Sequence, residues 1–271
     1  MLPNELTISI ADLPITLCLE WLDQAARAKI VTRYSDFIVP AAPAEFTISI
    51  RVEPGAEFIP FGIAPSWQIR TSRQDQRIDF ESHCEKGWVD YASRRGELVI
   101  RPRGSDIENF LRVLYAWLCI EHGSLLLHAC GVIRHQRGYV FFGPSGNGKT
   151  TTARLSAAYT ILSDDLIIIK KNQDKFIVCG TPFRGDLPEA PRTNQSAELV
   201  GVFALTKDTR HYLAPLASSE AVARLVQCVP FVMSQPQNAL RVTEICIDLA
   251  NHVPVQMLHF QRDTTFWEII E

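Results

Sequence analysis

Apolar and polar residues alternate with a period of two over residues 46–52. Phe46, Ile48, Ile50 and Val52 interleave with Thr47, Ser49 and Arg51, the signature of a half-buried strand. Shorter alternating runs follow at 67–69, 77–80, 88–91 and 98–100, separated by Pro54-Gly55, Pro60, Pro65, Gly87 and Gly96, which are turn chemistry. Residues 1–104 therefore predict a small β-rich region. The period then changes. Ser105-Asp106-Ile107-Glu108 reads as a capping box, and Ile107, Phe110, Leu111, Leu114 and Leu118 recur at helical spacing up to a stop at Gly123. Tyr115 and Trp117 read as packing on that helix.

Beyond it, strand-like runs at 125–133 and 139–142 flank a turn at 134–138. A short helix is predicted at 151–158, then apolar runs at 160–163 and 166–169, a turn at 172–174 and strands at 176–178 and 199–205. Helices are predicted at 218–228 and 239–250, with Val242, Ile245, Cys246 and Leu249 on one face, and a last strand at 253–260. Strands interleaved with helices predict an α/β fold, a mixed sheet with flanking helices over 105–271, preceded by the β-rich region. No internal repeat or low-complexity tract interrupts this order.

Composition changes the picture little. Of 271 residues, 46% are hydrophobic and 21% charged, and the formal net charge is -3. That balance gives no support to capture of nucleic acid or an anionic membrane. The seven cysteines are scattered and form no C-x-x-C, so neither a disulfide framework nor a zinc ribbon is predicted. His83-Cys84 has no partner pair at metal-ligand spacing and reads as a packed or exposed pair. Glu5, Asp12 and Glu20 interrupt the first residues, and the apolar stretch 111–120 is too short to span a bilayer. The expectation is a cytoplasmic protein; a homo-oligomer is compatible with the sequence.

The candidate chemistry lies at Gly143-Pro144-Ser145-Gly146-Asn147-Gly148-Lys149-Thr150. It satisfies G-x-x-x-x-G-K-[ST] between a predicted strand and a predicted helix. Glycines let successive backbone N–H groups face a phosphate, and the helix start adds partial positive charge. Lys149 can neutralise β and γ phosphates, and the Thr150 hydroxyl can hold Mg²⁺. Residues 143–151, Thr151 included, are thus the expected nucleoside triphosphate site, with ATP and Mg²⁺ as cofactors.

Ser163-Asp164-Asp165 follows one short helix later. Adjacent carboxylates at a strand end cannot point the same way. One can support the metal beside Thr150 while the other faces an acceptor hydroxyl; alone, such a pair would read as a surface turn. His128 lies on the strand preceding the loop strand. A histidine in an apolar strand is ordinarily a satisfied core residue, but this one could also reach the phosphate or the aspartates, and both readings stand at this point.

Leu127-His128-Ala129, the 143–150 loop and Leu162-Ser163-Asp164-Asp165 together resemble the catalytic core of HPr kinase/phosphorylase. They are closer still to the stand-alone HPr-kinase-related proteins of bacterial peptide-tailoring gene clusters of the lasso-peptide type. The similarity spans roughly residues 124–260, with specific motifs only between 126 and 165. It implies a P-loop kinase core similar to that of phosphoenolpyruvate carboxykinase. It also implies Asp165 as general base assisted by His128, Lys149 on the transferring phosphoryl group, and Thr150 on Mg²⁺, which leaves Asp164 as the carboxylate for the metal side. Phe183-Arg184-Gly185 is similar to the family's Arg-Gly loop. The metal-binding glutamate expected just before it is missing; Pro182 stands nearby, and Asp186 or Glu189 are the substitutes on offer. The segment tied to phosphorylase activity is not recognisable, and residues 1–104 do not resemble the phosphotransfer-regulatory domain of the bifunctional enzymes.

The expected function is an ATP- and Mg²⁺-dependent kinase acting on a hydroxyl, plausibly a serine of a peptide or protein partner, with residues 1–104 available for recognition. The alternatives are a nucleotide-dependent binding protein without transfer, a carboxykinase, for which the chain is short, and a GTPase-like switch. For the last, Leu205-Thr206-Lys207-Asp208 stands where N-K-x-D would, with threonine replacing asparagine.

Overall fold

The computed structural model describes residues 2–62, 68–101, 107–185, 187 and 193–270. The chain divides into two compact units, Met1–Tyr115 and Ala116–Glu271.

The first unit is a seven-stranded mixed sheet. Its strands are β1 (Glu5–Ile10), β2 (Leu13–Trp21), β3 (Phe46–Val52), β4 (Ile69–Gln74), β5 (Arg77–Ser82), β6 (Glu85–Asp90) and β7 (Arg95–Ile100), in spatial order β1-β2-β3-β7-β6-β5-β4. Ala11 and Asp12, both at positive φ, close the β1–β2 hairpin in two residues. Alternation in β3 resolves as expected: Phe46, Ile48 and Ile50 are buried. Pairing is parallel between β2, β3 and β7 and antiparallel elsewhere. The sequence pattern does not predict α1 (Gln24–Arg33), which supplies the crossover that a parallel β2–β3 pair requires. Its cap is legible afterwards, since the Asp23 carboxylate accepts from Ala26 N–H at 2.8 Å. Only Ala26 and Ile30 of α1 are buried, too sparse a stripe to announce a helix. His83 is a packed residue: its Nδ1 pairs with Ile59 O at 2.9 Å and its Nε2 accepts from Gln68 N–H at 3.0 Å.

The boundary between units falls within α2 (Glu108–Glu121). Of the capping box, Ser105 and Asp106 lie outside the described residues, as do Pro65 and Trp67.

The second unit holds β8 (Leu125–Arg134), β9 (Arg137–Phe142), β10 (Thr160–Ser163), β11 (Leu166–Asn172), β12 (Lys175–Cys179), β13 (Ser196–Lys207), β14 (Tyr212–Pro215) and β15 (Val255–Phe260). Helices are α3 (Lys149–Leu155), α4 (Ser218–Val226) and α5 (Pro236–His252). The predicted helix at 151–158 thus starts two residues earlier and ends three earlier. Ser156 closes it with N–H bonds to Thr152 O and Ala153 O. His135 and Gln136, both at positive φ, turn β8 tightly into β9.

Strand pairing positions the site. β9 lies parallel to β13, and β13 parallel to β15. β10 and β11 together form one antiparallel line along β8, from Thr160 opposite Ile133 to Ile169 opposite Leu125. That line carries a register shift between Ile161 and Ser163 and is interrupted at Asp164 and Asp165. Pairings β8–β9, β9–β13, β13–β12, β12–β11 and β11–β8 close a circuit. Beyond Arg137, β9 is buried at every position, which explains its unbroken apolar reading. Phe141 packs between Phe203, at 5.6 Å, and Trp267, at 5.5 Å. Among the described residues, no helix is long and apolar enough to cross a membrane, and all seven cysteines are free.

Candidate active site

The loop between β9 and α3 is held open by backbone geometry that only glycine adopts at low cost. Gly146 and Gly148 have φ of +83° and +109°. A Cβ on Gly148 would also stand 2.6 Å from Cζ of Phe260, so the loop packs its second glycine directly on a β15 ring. Asn147 donates its side-chain amide to Leu205 O at 3.0 Å, tying the loop to the end of β13. Pro144, Ser145 and Gly146 are exposed.

Lys149 is only 7% exposed. Its Nζ donates to Gly143 O at 2.9 Å and to Pro144 O at 3.4 Å, folding back over the loop it follows. Burial lowers its pKa, opposed by the thiol of Cys228 and then by the Asp165 charge. Lys149 and Asp165 are therefore within electrostatic reach of each other. Thr150 and Thr151 are half-buried at the head of α3.

The two aspartates part company at the break between β10 and β11. Ser163 builds that turn: its hydroxyl donates to Phe183 O at 2.9 Å and accepts from the N–H groups of Asp165 and Leu166, at 3.1 and 3.2 Å. Asp164 is 2% exposed. Its Oδ1 accepts from Gly185 N–H at 3.1 Å, while Oδ2 has no hydrogen-bond partner among the described residues. Burial raises its pKa above the ordinary carboxylate value; the Gly185 bond opposes the rise and the Asp165 charge adds to it. A Cβ on Gly185 would stand 3.0 Å from Asp164 Oδ2, so the Phe183-Arg184-Gly185 loop closes on this carboxylate. Asp186 and Glu189 lie outside the described residues.

Asp165 turns the other way. Its Oδ1 is 3.4 Å from His128 Nε2, and the pairing of Leu166 with His128 fixes the two strands in that register. The His128 side chain is 44% exposed, so it is not a core histidine. Its backbone N–H is spent on Cys228 O at 2.8 Å.

His128, Gly143, Pro144 and Ser145 line one cavity of about 320 Å³. Its remaining wall includes Arg224, Gln227 and Cys228 at the end of α4, residues that carry no motif or spacing signal. Arg224 is held by Glu220 one turn earlier, at 2.8 Å. The pattern of 218–228 foretold the helix; only the tertiary fold brings its last turn to the loop.

The described residues offer three kinds of chemistry: a glycine-bearing loop with a buried cation, a carboxylate paired with an imidazole, and a second carboxylate with an idle oxygen. Among the described residues no three or more His, Cys, Asp or Glu side chains cluster to hold a metal unaided.

A sequence model described as "ScmC: SynChlorMet cassette protein ScmC" matches residues 106–271, more than half of the chain. The chain belongs to the ScmC family. The matched span contains the loop, the aspartate pair and His128. No curated protein matches the sequence. Among solved structures, the chain is similar to the "Hpr(Ser) kinase/phosphatase from Coxiella burnetii". That likeness has 12% identity and a TM-score of 0.27, and covers 50% of this chain and 84% of that one. With so low a score, the site of this ScmC-family chain stands on its own geometry.

Proposed function

We propose that this chain is an ATP- and Mg²⁺-dependent kinase that transfers the γ-phosphoryl group to a hydroxyl, a serine of a peptide or protein. The observation that carries the reading is the Asp165–His128 pair, 3.4 Å apart, whose His128 lines a cavity bordered by the loop. A carboxylate that can take a proton stands beside a loop built to hold phosphates. The resemblance to HPr-kinase-related proteins of peptide-tailoring clusters supports a peptide or protein acceptor.

In this reading the backbone N–H groups of the 143–151 loop, apart from Pro144, which has none, and Asn147, which bonds Pro144 O, bind the phosphates. Lys149 exchanges its loop carbonyls for phosphate oxygens and stabilises charge on the transferring group. Asp165 takes the proton of the acceptor hydroxyl as its oxygen bonds to the γ-phosphorus. The bond from that phosphorus to the β–γ bridging oxygen breaks, and ADP leaves. His128 orients Asp165. Mg²⁺ fits the donor set: it is commonly held by one or two carboxylates plus substrate phosphates, Asp164 offers a buried oxygen with no hydrogen-bond partner among the described residues, and Thr150 offers a hydroxyl. When bound, the ion neutralises phosphate charge.

The test has two arms. MgATP at a hundredfold excess over its Kd stabilises by about 2.7 kcal/mol, and Lys149→Ala is expected to lose most of that gain in a thermal melt. Radiolabel from γ-labelled ATP is expected in a serine peptide library. Absence of any MgATP shift removes the nucleotide site; a shift without transfer to any acceptor leaves a nucleotide-dependent binding protein.

A further inference from the structure

A second cavity touches the loop at its other end. It measures about 340 Å³ and is lined by Gly148, Thr151, Lys207, Asp208, Phe260, Gln261 and Arg262. It shares no lining residue with the cavity at His128. The first cavity meets the loop at 143–145, the second at 148 and 151. A triphosphate laid along such a loop puts its γ end and its nucleoside end at opposite extremities. If Asp165 and His128 serve the γ end, the nucleoside belongs at the other.

The second cavity's own chemistry agrees. Its volume falls in the usual range for small-molecule sites, roughly 300–1,000 Å³. Lys207 and Arg262 are exposed, and neither forms an ion pair with any described residue. Lys171, Lys175 and Arg224 of this unit are, by contrast, paired with Asp248, Glu198 and Glu220. Two uncommitted cations beside a cavity that Phe260 lines together with polar side chains, next to the phosphate loop, suit an anionic ligand with an aromatic body.

Asp208 supplies selectivity. Its Oδ1 accepts from Thr209 N–H at 2.6 Å and from the Thr209 hydroxyl at 3.4 Å. Its Oδ2 accepts from Tyr212 OH at 3.2 Å and pairs with His259 Nδ1 at 3.1 Å. Tyr212 and His259 stack with ring centroids 4.1 Å apart, which fixes both donors. A carboxylate offers about four lone-pair sites, and four donors already occupy these. The carboxylate is closed to the paired N–H donors of guanine.

We infer that the cavity between Thr151, Lys207 and Arg262 binds the nucleoside of the phosphate donor, and that Asp208, sequestered by Tyr212 and His259, denies it to guanine. The inference rests on the proposed function, and the experiment separates the two. Wild-type protein is photolabelled with 8-azido-ATP, and the adduct is located by mass spectrometry, with inorganic tripolyphosphate as competitor. The expected adduct lies in peptides carrying 207–212 or 260–262, and tripolyphosphate suppresses it. For Lys207→Ala/Arg262→Ala, affinity for a fluorescent ATP analogue is expected to fall about tenfold, with tripolyphosphate affinity changed less than threefold. GTP is expected to compete at least tenfold more weakly than ATP. An adduct confined to peptides around 224–228, or equal competition by GTP and ATP, overturns the inference while the phosphate loop stands. Failure of tripolyphosphate and ATP alike to bind wild type overturns the proposed function and the inference together.

Discussion

Both units bury charged side chains, and they do so to opposite effect. In the first unit Glu85 is fully buried, and each of its oxygens is used. Oε1 accepts from the Asn109 amide at 3.0 Å and Oε2 from Phe110 N–H at 2.9 Å. Glu108 of the same unit is likewise paired, with Arg33 and Arg112. In the second unit Asp164 keeps one oxygen idle, and Lys149 spends its ammonium on loop carbonyls that a phosphate could replace. A buried charge whose valences are filled by its own chain stabilises a fold; one left with an opening is kept for a ligand.

The largest expected effect that tests this contrast is at Asp165. Asp165→Asn keeps size and polarity but cannot take a proton, so transfer is expected to fall 10²–10⁴-fold with nucleotide affinity nearly unchanged. Steady-state transfer beside a binding titration reads both, and an unimpaired rate would dismiss Asp165 as base. Next comes Glu85→Ala, which leaves Phe110 N–H and the Asn109 amide without their acceptor. A loss of about 2–4 kcal/mol is expected from the urea midpoint, with the MgATP shift per unit of folded protein intact.

Ser163→Ala removes the hydroxyl that shapes the aspartate turn. We expect about 1–2 kcal/mol of destabilisation and a transfer rate down about tenfold, since modest misplacement of a reacting group is costly. Equal transfer would mean that backbone pairing alone sets the aspartates.

The smallest effect has the most telling sign. Asp164→Asn removes a buried charge that the fold does not satisfy, so the ligand-free protein is expected to melt roughly 2–4 °C higher at neutral pH, about 1 kcal/mol. The stabilisation conferred by MgATP is expected to shrink. Because burial holds the Asp164 pKa above its ordinary 3.8, the folded chain keeps this proton to higher pH than the unfolded chain. That contribution is complete below the ordinary value and is lost as pH rises through the raised one. Melting temperature plotted against pH is therefore expected to fall less steeply over that window in Asp164→Asn than in wild type. A lower melting temperature for the variant would place Asp164 with Glu85, as a structural charge.

Much of the site was legible because its parts are local. The loop's glycines, Lys149 and the Asp164-Asp165 pair sit within about two dozen residues, where turn chemistry and apolar runs announce strand ends. His128 was ambiguous from sequence because period and hydropathy do not distinguish a strand's covered positions from an exposed one; only the 44% exposure of its side chain does. Arg224, Gln227 and Cys228 were invisible, since α4 reaches the loop through the fold and carries no spacing signal. Lys207-Asp208 was read as a flawed guanine motif, and the reason it fails is tertiary: Tyr212 and His259 occupy the carboxylate from β14 and β15. In the first unit the strands followed their alternation, whereas α1 went unpredicted because it buries so few residues.

The contact between Gly148 and Phe260 has a consequence for how the protein is made. The loop's strand β9 gains its parallel neighbour only when β13 exists, and the loop's second glycine rests on a ring synthesised more than a hundred residues after it. At about 5–20 residues per second, the ribosome takes roughly 5–20 s to pass from Gly148 to Phe260. During that interval the glycine loop has neither the Leu205 carbonyl that anchors Asn147 nor the ring that supports Gly148. The glycine loop is therefore finished only on chains already translated through β15, and any ligand that needs its finished form can help folding only from that point on.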